Sequence, residues 1–170
     1  MNEAKDRRIG VLYEAMKAEF EGHHFYTMAA KACEDPKGKE TFARLAAEEL
    51  DHYEYLKGQI EAIRETGNVD GSLKLGARLD LVGASPIFSD SIRGRIADAH
   101  FEMTALAVGV QLEKDAEAYY RGAADKEDDP TLGAVYRELA EWEAGHYRAL
   151  LAQQDNLKEE YWAGSGFAPF

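Results

Sequence analysis

An all-α four-helix bundle, built from two repeated helical hairpins joined by a long crossover, is the fold class this sequence predicts. Three observations carry the expectation. Proline stands only at 36, 86, 130 and 169, so the tracts between are free of the strongest helix breaker. Within those tracts apolar residues recur at alternating three- and four-residue spacing, as on a bundle seam, and no alternating strand pattern competes. A shift of 94 residues, without a gap, superimposes Glu19 on Glu113, Tyr26 on Tyr120, Asp35-Pro36 on Asp129-Pro130, Leu45-Ala46 on Leu139-Ala140, Glu49 on Glu143 and His52-Tyr53 on His146-Tyr147.

The first helix, over about residues 3–34, places Ile9, Leu12, Met16, Glu19, His23, Tyr26 and Ala30 on one stripe. Asp followed by Pro is a stop-and-restart signal, with Pro suited to the first turn of the next helix, so the hairpin turn is very short. The second helix carries Phe42, Leu45, Glu49, His52, Leu56, Gln59 and Ile63 on its stripe, and closes a first hairpin over about 3–66. From about 67 to 88 the chain is rich in turn formers, including Gly67, Asn68, Gly71, Gly76, Gly83 and Ser85-Pro86. A structureless stretch of that length suits a bundle with one long crossover, because the third helix must begin at the far end of the second. The second hairpin, over about 89–162, has Ala99, Met103, Leu106, Val110, Glu113, Glu117, Tyr120 and Ala124 on one arm. Leu132, Tyr136, Leu139, Glu143, His146, Leu150, Gln153 and Leu157 line the other. The tail, 163–170, reads as nonhelical, with aromatic residues suited to capping a bundle end or a neighbouring subunit. Two copies make a duplicated bundle half rather than a solenoid.

Composition bounds the function. The 170 residues form a single domain, 45% hydrophobic and 31% charged, with enough apolar material for a full core. A formal charge of −12 repels nucleic acid and anionic lipid and concentrates cations, so no nucleic-acid or membrane partner is expected. The longest apolar stretch, Thr104 to Val110, falls far below the ~18 residues of a spanning helix. The opening MNEAKDRRIG has no apolar signal core, and the expected location is cytoplasmic. One cysteine, Cys33, excludes an internal disulfide, a four-thiolate zinc site and a rubredoxin-type iron centre.

Six ionisable residues lie on the predicted interior seams: Glu19, Glu49, His52, Glu113, Glu143 and His146. Such groups cost several kcal/mol each on an apolar stripe unless paired, hydrogen-bonded or bound to metal. In the first hairpin Glu19 lies 16 residues before Asp35, and Glu49 and His52 lie 14 and 17 after it; the second hairpin repeats these intervals about Asp129. At ~1.5 Å per residue the two arms bring all three groups of a hairpin to one level. A Glu from each of two helices with Glu-x-x-His from each of the other two is the ligand set of a carboxylate-bridged dinuclear metal site. Four carboxylates neutralise two dications, with Glu49 and Glu143 as the expected bridges and open positions left for water, dioxygen or peroxide. The oxygen-rich set favours iron or manganese, with zinc or cobalt able to enter in vitro. A polar core network without metal is the competing reading.

His23 and Glu117 lie one turn beyond Glu19 and Glu113 and are candidates for an extra ligand, a proton relay or a supporting hydrogen bond. Tyr26 and Tyr120 follow Glu19 and Glu113 by seven residues. Their expected role is a phenol hydrogen bond to a liganding carboxylate across the bundle, with core packing as the alternative.

The sequence resembles the ferritin-like diiron-carboxylate superfamily, and within it the rubrerythrin-like proteins. The resemblance rests on Glu19, Phe25-Tyr26, Ala29-Ala30 and the run Leu45-Ala46-Ala47-Glu48-Glu49-Leu50-Asp51-His52. The second half repeats it with Glu113, Tyr119-Tyr120, Ala123-Ala124, Leu139-Ala140-Glu141-Trp142-Glu143 and His146. It implies a two-iron oxidoreductase that reduces hydrogen peroxide or dioxygen. Ferroxidase or iron storage, and a noncatalytic metal-binding protein, are the alternatives. Rubrerythrins proper often carry a rubredoxin domain, which one cysteine cannot build, so the expected electron source is a separate donor protein. They also carry a Glu three residues after the third-helix ligand, where this chain has Ala116, with Glu117 one position later. A homodimer is the expected assembly.

Overall fold

The computed structural model describes residues 2–76 and 86–165. Four α-helices dominate it: α1 (Asn2–Ala32), α2 (Pro36–Thr66), α3 (His100–Lys126) and α4 (Pro130–Ser165). Among the described residues there is no strand, and no helix is long and apolar enough to cross a membrane. The chain forms the four-helix bundle its periodicity predicts.

Each hairpin closes where Asp-Pro interrupts the helical run. Asp35 adopts an extended backbone and its carboxylate accepts the Gly38 N–H at 2.8 Å, while Pro36 opens α2 without needing a donor of its own. Asp129 accepts from Thr131 N at 2.8 Å and Leu132 N at 3.2 Å, the same device at the start of α4. Helix α2 ends on Gly67, whose φ of 83° is left-handed and whose N–H reaches the Ile63 carbonyl. Only glycine adopts that conformation without a Cβ penalty.

The two turns lie at opposite ends of the bundle, so the chain must travel its length between α2 and α3. Two buried glutamines related by the repeat hold the ends of this crossover. The Gln59 amide donates to the Asp70 carbonyl at 3.0 Å and accepts from Asp70 N at 2.8 Å. Gln153 accepts from Ile87 N at 2.6 Å. The crossover extends beyond its expected end at 88: Ile87, Phe88 and Ile92 enter the core, and Asp90–Asp98 form a 3₁₀ segment before α3 begins at His100. Residues 77–85 of the crossover lie outside the described residues.

At the other end, α4 continues through Ser165 and the expected nonhelical tail does not begin at 163. A lone Gly164 disfavours helix by only about 1 kcal/mol, too little to stop a long one. Residues 166–170 lie outside the described residues.

Two apolar layers fill the interior. One gathers Tyr26, Phe42, Leu45, Phe88, Leu106 and Leu150 near the Asp35 turn. The other gathers Leu12, Leu56, Ile63, Tyr120, Tyr136 and Leu139 toward the Asp129 turn. Each holds one of the repeated tyrosines, and the ionisable seam residues lie between them.

Candidate metal centre

The six seam residues meet. Glu19, Glu49, His52, Glu113, Glu143 and His146 are each at most 4% exposed. Their side-chain atoms form two overlapping groups, Glu19-Glu49-His52-Glu143 and Glu49-Glu113-Glu143-His146, each with atoms within 4.8 Å of one another. Glu49 and Glu143 belong to both. The equal intervals around the two Asp-Pro turns place the residues at one depth, and the three-residue Glu-x-x-His spacing keeps each pair on one helix face.

Both imidazoles turn Nδ1 toward the carboxylates. His52 Nδ1 lies 3.0 Å from Glu143 Oε1 and 3.4 Å from Glu19 Oε2. His146 Nδ1 lies 3.3 Å from Glu113 Oε2, 3.8 Å from Glu143 Oε2 and 3.9 Å from Glu49 Oε1. The two rings face each other with centroids 6.3 Å apart.

Packing this much charge into an apolar interior displaces its protonation equilibria. Burial, reinforced by the carboxylates of Glu143, Glu113 and Glu19, pushes Glu49 well above the usual carboxylate range. Burial also raises Glu113, to about 8, against the opposing pull of His146. Glu143 goes the other way: burial alone would raise it, but His52 and His146 hold it well below the usual range. Burial would lower both histidines, yet the Glu143 carboxylate raises His52 to about 10 and Glu113 raises His146 well above an ordinary imidazole. Burial and the mutual attraction of imidazole and carboxylate thus pull the equilibria of neighbouring groups in opposite directions.

The residues fit a pair of metal ions. Glu49 Oε1, Glu143 Oε1 and the Nδ1 atoms of His52 and His146 are buried and make no well-aligned hydrogen bond among the described residues, although His52 Nδ1 and Glu143 Oε1 lie 3.0 Å apart. These four atoms converge on one small volume, where a cation would satisfy them.

The tyrosines cross the bundle reciprocally. Tyr26 on α1 donates to Glu113 Oε1 on α3, and Tyr120 on α3 donates to Glu19 Oε1 on α1. Both phenols are held far above their ordinary pKa by burial and by these carboxylates. Gly109 makes room for the first contact, since a Cβ there would stand 3.1 Å from the Tyr26 hydroxyl.

The other two candidates do not join the cluster. His23 is half-buried, with Nδ1 2.7 Å from the Ala46 carbonyl. Glu117 is also half-buried and pairs with Arg121 Nε at 2.8 Å. Helical register explains both: a residue one turn along a seam has also moved up into the adjoining layer or outward to its flank.

Glu48 is the residue that the seam pattern missed. It is 5% exposed, and its Oε2 lies 2.8 Å from Nε2 of His146, the ring nitrogen directed away from the cluster. Its spacing, three after Leu45 and four before His52, places it on the flank of the seam. The repeat concealed it, because its counterpart is Trp142, whose ring packs edge-on against His52 with centroids 5.1 Å apart.

A cavity of about 240 Å³ opens between α1 and α3 onto this centre. Its walls include the small residues Ala15, Ala18, Gly22 and Ala116, and its floor includes Glu19, Glu49, Glu113 and Glu143. Gly22 keeps the passage open beside Glu49, since a Cβ there would stand 3.2 Å from Glu49 Oε2.

No curated protein and no solved structure matched the chain when it was compared with them. The family model described as Rubrerythrin matches residues 10–154, which cover most of both hairpins and every residue of the cluster. With a buried Glu/His cluster that could hold metal at the centre of a duplicated bundle, the chain belongs to the rubrerythrin family.

Proposed function

We propose that this protein is a non-haem diiron oxidoreductase that reduces hydrogen peroxide or dioxygen. The observation that carries the reading is the pair of overlapping four-residue groups sharing Glu49 and Glu143. In this assignment Glu19 and His52 would hold one ion and Glu113 and His146 the other, with Glu49 and Glu143 available to both. Two irons held there would supply, on going from ferrous to ferric, the two electrons that reduce one hydrogen peroxide to water.

The chain's own residues make that transfer selective. The α1–α3 cavity admits a small oxidant to the carboxylate floor, while the apolar layers above and below exclude bulk water. Tyr26 and Tyr120 keep their protons and hold Glu113 and Glu19 in place as the charge of the centre changes. One cysteine among these 170 residues cannot by itself supply the several thiolates of an electron-transfer centre, and in this reading a donor protein restores the ferrous state.

Anaerobic loading with Fe(II), followed by rapid mixing with hydrogen peroxide, tests the reading. The expected outcome is consumption of about one peroxide per site in one fast phase, then arrest until a reductant is added. Continued uptake of Fe(II) with ferric mineral forming would instead identify a ferroxidase. Failure of both peroxide and dioxygen to oxidise the loaded protein would leave a noncatalytic metal-binding role.

A further inference from the structure

The repeat makes the two metal subsites equivalent in their ligands, but not behind their histidines. His146 directs Nε2 to the buried Glu48 carboxylate at 2.8 Å. His52 is fully buried, and its Nε2 has no hydrogen-bond partner among the described residues. At the repeat position of Glu48 stands Trp142, whose ring edge packs on His52. One imidazole therefore has a carboxylate at its outer nitrogen, and the other has an aromatic ring packed against it and no partner at that nitrogen.

A carboxylate accepting the outer N–H of a liganding histidine acts in three ways. It selects the tautomer that leaves Nδ1 free to bind metal, it locks the ring plane, and it increases electron density at the ligating nitrogen. His146 receives all three from Glu48. His52 receives orientation from Trp142 by packing alone, and its outer N–H remains desolvated without an acceptor.

We propose that Glu48 is a positioning residue that makes the two subsites unequal, so that the Glu113–His146 subsite takes its ion first and holds it more tightly than the Glu19–His52 subsite. The ion beside His52 is the one that enters last and leaves first. This inference rests on the dinuclear reading above and adds the order in which the centre fills.

Stepwise zinc binding to the full chain, measured by competition with a chromophoric chelator, tests it. Two steps separated by at least about tenfold are expected, since loss of such a partner commonly weakens a site by ~10–100-fold. His52→Ala should retain the tight step, and His146→Ala should remove it. Glu48→Ala should weaken the tight step selectively by about 10–100-fold and leave the weaker one in place, with Glu48→Gln intermediate because its carbonyl still accepts. A generally damaged fold would weaken both steps together, so that outcome overturns the proposal. Trp142→Glu gives an independent reading, with the weak step strengthened about tenfold or more. Should that variant fail to fold, anomalous diffraction from the unaltered protein at one zinc per chain decides, with density expected between Glu113 and His146. Density shared evenly between the subsites, or two indistinguishable steps in the unaltered chain, would overturn the inequality while leaving the dinuclear reading intact. Absence of zinc binding would overturn both.

Discussion

Asp35-Pro36 and Asp129-Pro130 start their helices in the same way, with an aspartate accepting backbone N–H groups of the first turn. What surrounds them differs. Asp35 is 2% exposed and also accepts the Ser89 N–H at 3.1 Å and the Ser89 hydroxyl, so the returning crossover is fastened to the first turn through it. Asp129 is half-buried and has Arg8 at 3.7 Å, which also pairs with Glu127 at 3.0 Å. The apolar contact changes hands as well. At the first turn Phe88 from the crossover lies so close to Gly38 that a Cβ would stand 2.4 Å from its ring. At the second, the position matching Gly38 is Leu132, 1% exposed in the second apolar layer. A duplicated turn thus acquires different partners when the crossover covers one copy, and its residues differ accordingly.

The largest test removes the side chain that the second turn supplies for itself. Leu132→Gly should cost about 4 kcal/mol through the cavity and the lost helix propensity, measured by urea unfolding at fixed metal content. Gly38→Ala, which adds a methyl where Phe88 already sits, should cost about 2 kcal/mol by the same measurement. A Gly38→Ala variant as stable as the parent would show that Phe88 does not seal the first turn.

Removing the caps sharpens the contrast. Asp35→Ala should cost about 3 kcal/mol, since it removes the helix cap and takes the acceptor from the half-buried Ser89 N–H and hydroxyl. Asp129→Ala should cost about 1 kcal/mol, the ordinary value of a cap. Equal losses in thermal unfolding would mean that the crossover contributes nothing through Asp35.

The smallest effect is on acid stability. Burial alone would raise the pKa of Asp35, but hydrogen bonds from Ser89, Gly38 and Lys37 lower it below its ordinary value. A depressed carboxylate contributes stability that is fully present above its unfolded pKa, near ~3.9, and is lost as pH falls through the folded value. Asp35→Asn should therefore flatten the acid limb of the Tm profile below about pH 4. An unchanged acid limb in Asp35→Asn would show that another group governs it.

Much of this molecule was legible in its sequence. Helical period, the Asp-Pro punctuation and the gapless repeat are local or nearly local signals, and they specified four helices and two hairpins before any packing was known. The meeting of Glu19, Glu49, His52, Glu113, Glu143 and His146 was legible for the same reason: rise per residue and equal distances from each turn dictate their depth. Seven-residue spacing put both tyrosines on the seam and allowed either a hydrogen bond to a ligand carboxylate or core packing, and the structure shows reciprocal bonds between α1 and α3.

Other features depended on which surfaces the crossover and the helix packing bring together. Glu48 stands beside a seam glutamate in sequence, and nothing local shows that α4 directs His146 at its oxygen. Phe88 and Gly38 are 50 residues apart and touch only because the crossover folds back over the first turn. His23 and Glu117 satisfied the seam pattern and still found a backbone carbonyl and an arginine, since a helical stripe specifies a face but not its occupant. Intervals along single helices determined where the charged centre lies, whereas the partners behind its ligands were decided by long-range packing between chain segments whose mutual approach no local interval encodes.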